Sequence, residues 1–398
     1  MNGTRYRWPV LWAAFVTYLF DSYDLIVLAI AMPVLLKILN ITLPEGGLLG
    51  SATMLGAMAG SVLFGLIAEN YGRRFALVLA MVWLGIGMGL VYFVHAWSLW
   101  MVLRFLTGIA IGGVWGPCAA LIAEHWSPEY RGRAASFGFS SFAIGAVLAS
   151  LVGRMVLHVE WQWLFVAGTV SIPAALLVIR LVPPDPKRAA SAAGNEQRSR
   201  IGIGAIFEGG LARITLPATL VSIVNLAGYW GAAFWIPTFL TQERGLSLTT
   251  MAGFSFVMYL GMFLGFQFFG LLSDWIGRRR AMMAAFAACA AAIGIYIVVR
   301  HPMFLFWWGI VVGFCLCGSG GVLGAYYAEL FPERVRAYAG GFCWNMGRVG
   351  AVLAPFTIGY IGKVHGLQTG LAVTCVIYIL GAAMLLLLPE TFKGRRSV

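Results

Sequence analysis

"GLIAENYGRR" (Gly65–Arg74) and "GLLSDWIGRR" (Gly270–Arg279) are two versions of one decapeptide, 205 residues apart. The same spacing relates Ala123–Glu124 to Ala328–Glu329, Arg131 to Arg336, and "GAVLA" at Gly145 to the same five residues at Gly350. Separate matches at a single spacing mark an internal repeat. Pro128 and Pro332 lie 204 apart, so a short loop slip also separates the copies. The glycines in the decapeptide would let a helix approach its neighbour closely. Its carboxylate and arginines, at a helix–loop junction, would serve as a latch, as a topology anchor, or as both.

The medium in which the repeat folds follows from composition. Of 398 residues, 61% are hydrophobic and 11% charged, with a mean hydropathy of +0.86. A soluble domain carries about a quarter charged residues, so most of this chain has lipid as its solvent. A helix needs about 20 apolar residues to cross a bilayer. Twelve such segments are predicted, at 10–36, 47–68, 75–95, 97–124, 133–157, 161–182, 213–240, 249–272, 281–300, 303–328, 337–362 and 367–389. No small-residue cleavage site follows the first, which is expected to stay as a spanning helix. The all-α fold therefore divides into a six-helix bundle over 1–182, a polar inter-half loop over 183–212 and a second six-helix bundle over 213–398. Two parallel halves suit a transporter with its site at mid-depth between them.

The net charge of +12 is a topology signal. With both termini in the cytoplasm, 20 of the 27 Lys and Arg fall inside, five outside and two, Arg104 and Arg348, within spans. This is the positive-inside pattern, and no nucleic-acid partner is needed to explain it. All six cysteines lie in apolar segments without metal-ligand spacing, and read as small packers with no disulfide. No nucleophile–base constellation, metal cluster or phosphate loop occurs, and the five histidines sit at span ends. An enzyme, a cofactor and a metal site are not expected.

The cytoplasmic decapeptides (Gly65, Glu69, Gly72, Arg73, Arg74 and Gly270, Asp274, Gly277, Arg278, Arg279) resemble the loop signature G-x-x-x-[DE]-x-x-G-R-[RK] of the major facilitator superfamily. Arg104, Gly108 and Gly112 resemble the fourth-helix run of its proton-coupled members. The resemblance covers the whole chain. It implies a twelve-helix carrier working by alternating access in a bacterial inner membrane, expected as a monomer.

Function-bearing residues should break the repeat. At a spacing of 205, Asp24 falls opposite Tyr229, Asp21 opposite Leu226, Arg104 opposite Gly309 and Arg348 opposite Ala143. None has a charged twin, although each charge at a helix centre costs about 2.5–3.5 kcal/mol on insertion scales. Asp21 lies about 16 Å into the first helix at 1.5 Å per residue, near the midplane. Asp21 and Asp24 share a helix face, about 5–6 Å apart at Cβ. Two carboxylates that close in low dielectric resist being charged together, which disposes one to carry a proton. The structural alternative is an ion pair with Arg104 or Arg348.

"FDSYD" (Phe20–Asp24) resembles the D-G-F-D run of aromatic-acid:proton symporters, departing from it at Ser22 and Tyr23. "GFCWNMGR" (Gly341–Arg348) resembles the eleventh helix of lactate- and sialate-type symporters. Val114 and Trp115 match neither group. Arg348, with Asn345 on its face, suits a substrate carboxylate. Asn225 and Gln267 are amides that must find partners within a span, and Tyr18, Trp115, Tyr229, Trp230, Tyr326 and Trp344 are candidate cavity walls. The expectation is proton-coupled symport of a small organic anion, a monocarboxylate or aromatic carboxylate, docked on Arg348 in competition with Asp21 or Asp24. Alternatives are a proton symporter for a neutral nutrient such as a sugar, or a cation:proton antiporter, which Arg348 disfavours by repulsion.

Overall fold

The computed structural model describes residues 7–127, 130–184 and 203–391. Its membrane helices are α1 (Arg7–Ile38), α2 (Leu43–Tyr71), α3 (Arg73–Leu90), α4 (Trp97–His125), α5 (Arg131–Val156) and α6 (Trp163–Leu181). The second set is α7 (Ala212–Gln242), α8 (Leu248–Ile276), α9 (Arg278–Val298), α10 (Pro302–Leu330), α11 (Arg336–His365) and α12 (Leu367–Met384). Among the described residues, 11 helices are long and apolar enough to cross a membrane. The twelfth, α11, is less apolar because Asn345, Arg348 and Pro355 interrupt it. Large apolar side chains such as Leu63, Leu66, Leu271 and Trp275 are exposed, as lipid-facing residues must be.

Two compact units form. One gathers α1–α6 with Leu246–Phe256; the other gathers α7, α8 from Val257 onward, and α9–α12. Residues 185–202 of the expected inter-half loop lie outside the described residues. The remainder is not featureless: Ile203–Ile206 and Glu208–Gly210 form 3-10 turns, and buried Ile206 accepts a hydrogen bond from Thr215 Oγ1 at 2.6 Å.

The repeat is visible in the packing itself. In the first unit α2 and α4 meet through glycines. A Cβ added at Gly56 would lie 2.1 Å from the Phe105 carbonyl oxygen, at Gly60 2.0 Å from Ile109 O, and at Gly108 2.2 Å from Thr53 O. In the second unit α8 and α10 repeat this contact by contact: Gly261 against Ile310 O, Gly265 against Phe314 O and Gly313 against Met258 O. Every one of these residues is its mate's number plus 205. The correspondence is interrupted at Gly112, whose added Cβ would meet Ala57 O at 2.2 Å, and returns at the next residue, where Gly113 against the Phe64 ring is repeated by Gly318 against the Phe269 ring. The mate of Gly112 is Cys317. A side chain there is incompatible with the same approach in a continuous helix, and α10 breaks between Leu316 and Gly320. The span predicted over 303–328 is present as one membrane-length stretch, Pro302–Leu330, interrupted by a turn at Cys317–Ser319.

The α1/α7 pair follows a different spacing. Gly145 on α5 packs against Leu19 O, and its mate Gly350 on α11 packs against Ile223 O, a spacing of 204 that also relates Pro33 to Pro237. The connection after α7 is one residue longer than the one after α1. One residue is about 100° of helix rotation, so the equivalences change. Asp21 corresponds to Asn225 and Asp24 to Gly228, rather than to Leu226 and Tyr229.

Gly60→Ala is expected to destabilise the protein by about 1–3 kcal/mol, the usual cost of overpacking. Gly65→Ala, with no atom within 4 Å of the new Cβ, should be neutral. Thermal unfolding in detergent checks both, and equal effects would contradict the assignment of the close contact.

Candidate functional site

Asp24 and Arg104 are both fully buried. Arg104 Nη1 donates to Asp24 Oδ1 at 2.9 Å and Nη2 to Oδ2 at 2.8 Å. The guanidinium fork matches the carboxylate edge to edge, the geometry in which this pair is strongest. Arg104 Nε donates to Thr53 Oγ1 at 3.1 Å, so α1, α2 and α4 each contribute one group. Removing two charges from water costs several kcal/mol per ion, which only close, fully hydrogen-bonded geometry offsets. Both Asp24 oxygens are therefore held by Arg104 within one unit, the ion pair with Arg104 that the sequence left as the structural alternative. Tyr23 Oη donates to Leu164 O at 2.8 Å, fixing α1 against α6. Asp21, 4% exposed, lies one turn before Asp24.

One turn further back, Tyr18 joins an aromatic cluster. Its ring lies 5.1 Å from Phe139 and 5.8 Å from Phe142, and Phe139 stacks on Trp115 at 5.8 Å. Tyr18, Trp115 and Phe142 are half-buried, and Tyr18, which meets Phe139 edge to face, lies on the same stretch of α1 as Asp21. Phe139 and Phe142 were not expected from sequence; their i, i+3 spacing on α5 was the available signal.

The second unit has an uncharged counterpart. Asn225 Oδ1 accepts from Ser319 Oγ at 2.6 Å, at the break in α10. One turn earlier, Ser222 Oγ and Tyr327 Oη are 2.5 Å apart, and Tyr327 donates to Ala218 O at 2.8 Å. Tyr229 and Trp230 are buried edge to face, 5.1 Å apart. Arg348, Asn345 and Trp344 are half-buried on α11, and Asn345 Nδ2 donates back to Gly341 O at 3.0 Å. Two candidates fall elsewhere. Gln267 is exposed on the stripe of α8 that carries Leu260, Leu264, Leu271 and Trp275. Tyr326 is fully buried and donates to Pro389 O at 2.7 Å, at the end of the chain's last helix. Thr53 and Ser319 escaped the sequence reading, because hydroxyls in apolar spans are common.

The decapeptides build one junction twice. Gly72 (φ 94°) and Gly277 (φ 102°) stand between consecutive helices in a conformation that side chains avoid. Arg73 Nε then reaches Glu124 at 3.0 Å, and Arg278 Nε reaches Glu329 at 3.1 Å, with Asp274 2.5 Å from Arg278 Nη1. Arg279 Nη1 donates to Leu388 O at 3.0 Å, and the backbone N–H groups of Arg279 and Arg280 donate to Glu390. Glu69 is exposed and Arg74 half-buried. The first glycine of each decapeptide does not mediate close approach: Gly65 faces open space and Gly270 meets only Gly321 O at 3.6 Å. Gly56, Gly60, Gly261 and Gly265, a turn or two earlier, carry that role.

A repeated six-helix membrane frame, with a buried ion pair in one copy that the other lacks, is the architecture of a membrane transporter. The family model for the Major Facilitator Superfamily matches residues 12–318 and 218–397, and the chain belongs to that superfamily. It is 28% identical to a "Probable 4-methylmuconolactone transporter" of Cupriavidus pinatubonensis, over 98% of this chain and 92% of the relative. It is 27% identical to the cis,cis-muconate transport protein of Acinetobacter baylyi, over 92% and 90%. The crystal structure of a D-xylose-proton symporter shares the fold, with a TM-score of 0.79 at 17% identity over 97% of this chain and 99% of that one. The chain is a multi-pass membrane transporter and not an enzyme.

Arg104→Met, which strands a buried carboxylate, is expected to cost about 3–5 kcal/mol. Asp24→Leu combined with Arg104→Met should recover most of that loss. Thermal unfolding of the singles and the double checks the coupling, and additive losses would contradict a direct pair.

Proposed function

We propose that this transporter carries a small, planar organic anion together with a proton by alternating access, in a bacterial inner membrane with both termini cytoplasmic. The observation that carries the reading is the Asp24–Arg104 pair. Its positions in the other unit are Gly228 and Gly309, so a six-helix half folds without it. A costly, dispensable ion pair is a functional device. Charged, Asp24 holds α1 to α4 through Arg104. Protonated, it loses one side of that bond, and the helices are free to separate. A carboxylate parted from its cation in a dry interior takes up a proton, because the bare charge is too costly there. One proton and one monoanion move no net charge; a dianion such as cis,cis-muconate carries one negative charge with that proton, so with the membrane potential clamped to zero accumulation follows the pH gradient.

The anion is the second element. Within the second unit Arg348 offers a carboxylate two parallel donors, and Asn225 and Tyr229 supply polar contacts; within the first unit the stacked Phe139 and Trp115 rings suit a conjugated or aromatic body. The two relatives carry, by name, muconolactone and muconate transport, both unsaturated carboxylates. The uncharged set Asn225, Ser319, Ser222 and Tyr327 also fits a neutral, hydroxyl-rich nutrient, which is the second reading.

Reconstituted into vesicles with an inward proton gradient, the wild type should accumulate cis,cis-muconate uphill. Asp24→Asn should lose accumulation while retaining exchange. Arg348→Gln should weaken carboxylate binding by about ten- to a hundredfold, the range of a charge-assisted hydrogen bond. Undiminished accumulation by Asp24→Asn refutes the coupling role; undiminished carboxylate binding by Arg348→Gln favours a neutral substrate.

A further inference from the structure

We infer that Thr53 is a positioning residue of the coupling site, holding the Arg104 guanidinium in the one orientation that presents both terminal nitrogens to Asp24. The inference rests on the coupling role proposed for that pair. Thr53 is 1% exposed and lies on α2, away from both charged residues in sequence. Its Oγ1 accepts from Arg104 Nε at 3.1 Å and donates to Leu49 O at 2.9 Å. The chain of donors therefore runs from Arg104 through the hydroxyl to a helix carbonyl, and the hydroxyl cannot turn without breaking it. A guanidinium is planar, so fixing Nε fixes the direction of Nη1 and Nη2. Without the hydroxyl, Nε–H would be buried and unpaired, and the group would rotate to find another acceptor.

The position is also locked along the helix. An added Cβ at Gly108, one turn after Arg104, would meet Thr53 O at 2.2 Å, so the α2 and α4 backbones are in contact beside the pair. This contact is repeated at Met258 and Gly313 in the other unit, but the hydroxyl is not. Asp24, Arg104 and Thr53 correspond to Gly228, Gly309 and Met258. The three polar groups are present together in one half and absent together from the other, as expected of parts of one device rather than of the frame.

The other titratable groups around Asp24 are few. On α1 it is flanked by Asp21 and Tyr23, and on α4 it faces Arg104, with Cys118 further along. Titratable residues of α2 (Glu45, Glu69, Tyr71), α3 (Arg73, Arg74), α5 (Arg131, Arg133, Arg154) and α6 (Arg180) lie at or near the helix ends. Thr53 itself does not titrate. Its effect on pH dependence must pass through how tightly Arg104 holds the charged form of Asp24. A looser hold weakens the charged clasp between α1 and α4, so the alkaline limb of proton-driven uptake should move to higher pH.

The experiment is uphill uptake of cis,cis-muconate by the full chain in vesicles, measured across pH for wild type, Thr53→Val, Thr53→Ser and Asp24→Asn. Thr53→Val keeps the shape and removes the hydroxyl; its alkaline limb should move up by about one pH unit, tenfold in proton affinity. Thr53→Ser, which restores the acceptor, should return the wild-type profile. A purely structural role would lower the rate of Thr53→Val without moving its profile, and that result overturns the inference. Thr53→Ala replaces Thr53→Val if the latter does not accumulate in the membrane. Asp24→Asn separates the two claims. If it still accumulates substrate, the coupling role fails; if it does not, and Thr53→Val keeps the wild-type profile, only the positioning role fails.

Discussion

An ion pair buried at membrane depth constrains every helix that touches it. Asp24 and Arg104 have no access to water, and hydrocarbon offers no hydrogen bonds to replace it. The pair is tolerable only while α1, α2 and α4 stay within hydrogen-bond reach. The α2–α4 glycine contacts and the Tyr23–Leu164 bond supply that closeness. Neutralising one member removes the reason for it. On the function we propose, the same interaction is a structural clasp when charged and a release when protonated, and so joins a proton to a conformational change.

The two units make the contrast legible. Glycine approaches, the positive-φ glycines between helices and the Arg–Glu bridges recur at a spacing of 205, and they describe the frame. Surface bridges such as Arg73–Glu124 are individually worth little, so their repetition reflects local architecture more than stability. Charged and hydroxyl groups at the centre do not recur. Where the first unit has Asp21, Asp24, Thr53 and Arg104, the second has Asn225, Gly228, Met258 and Gly309, with Arg348 instead on its own eleventh helix. Duplication with divergence leaves the function in the differences.

Much of this could be read from the chain before any coordinates. The decapeptide repeat, the hydropathy and the placement of arginines led to a twelve-helix carrier, and the lack of charged twins singled out Asp21, Asp24, Arg104 and Arg348 without saying which of them pair. What could not be read was geometry. The 204 register of α1 against α7 is set by one extra loop residue, and the decapeptides carry no trace of it. The break in α10 coincides with a cysteine where its mate is glycine, which hydropathy does not register. Gln267 looked central by depth, yet helix rotation places it on an exposed apolar stripe. Thr53 was invisible because a hydroxyl in a span has a local carbonyl as its default partner.

The central claim is that substrate and proton cross together through Asp24. It is tested most directly by loading vesicles with a pH-sensitive dye, with no initial pH gradient, and adding cis,cis-muconate outside. The account expects the lumen to acidify as substrate enters, in wild type but not in Asp24→Asn. Substrate entry by the wild type with no change in lumenal pH would contradict it.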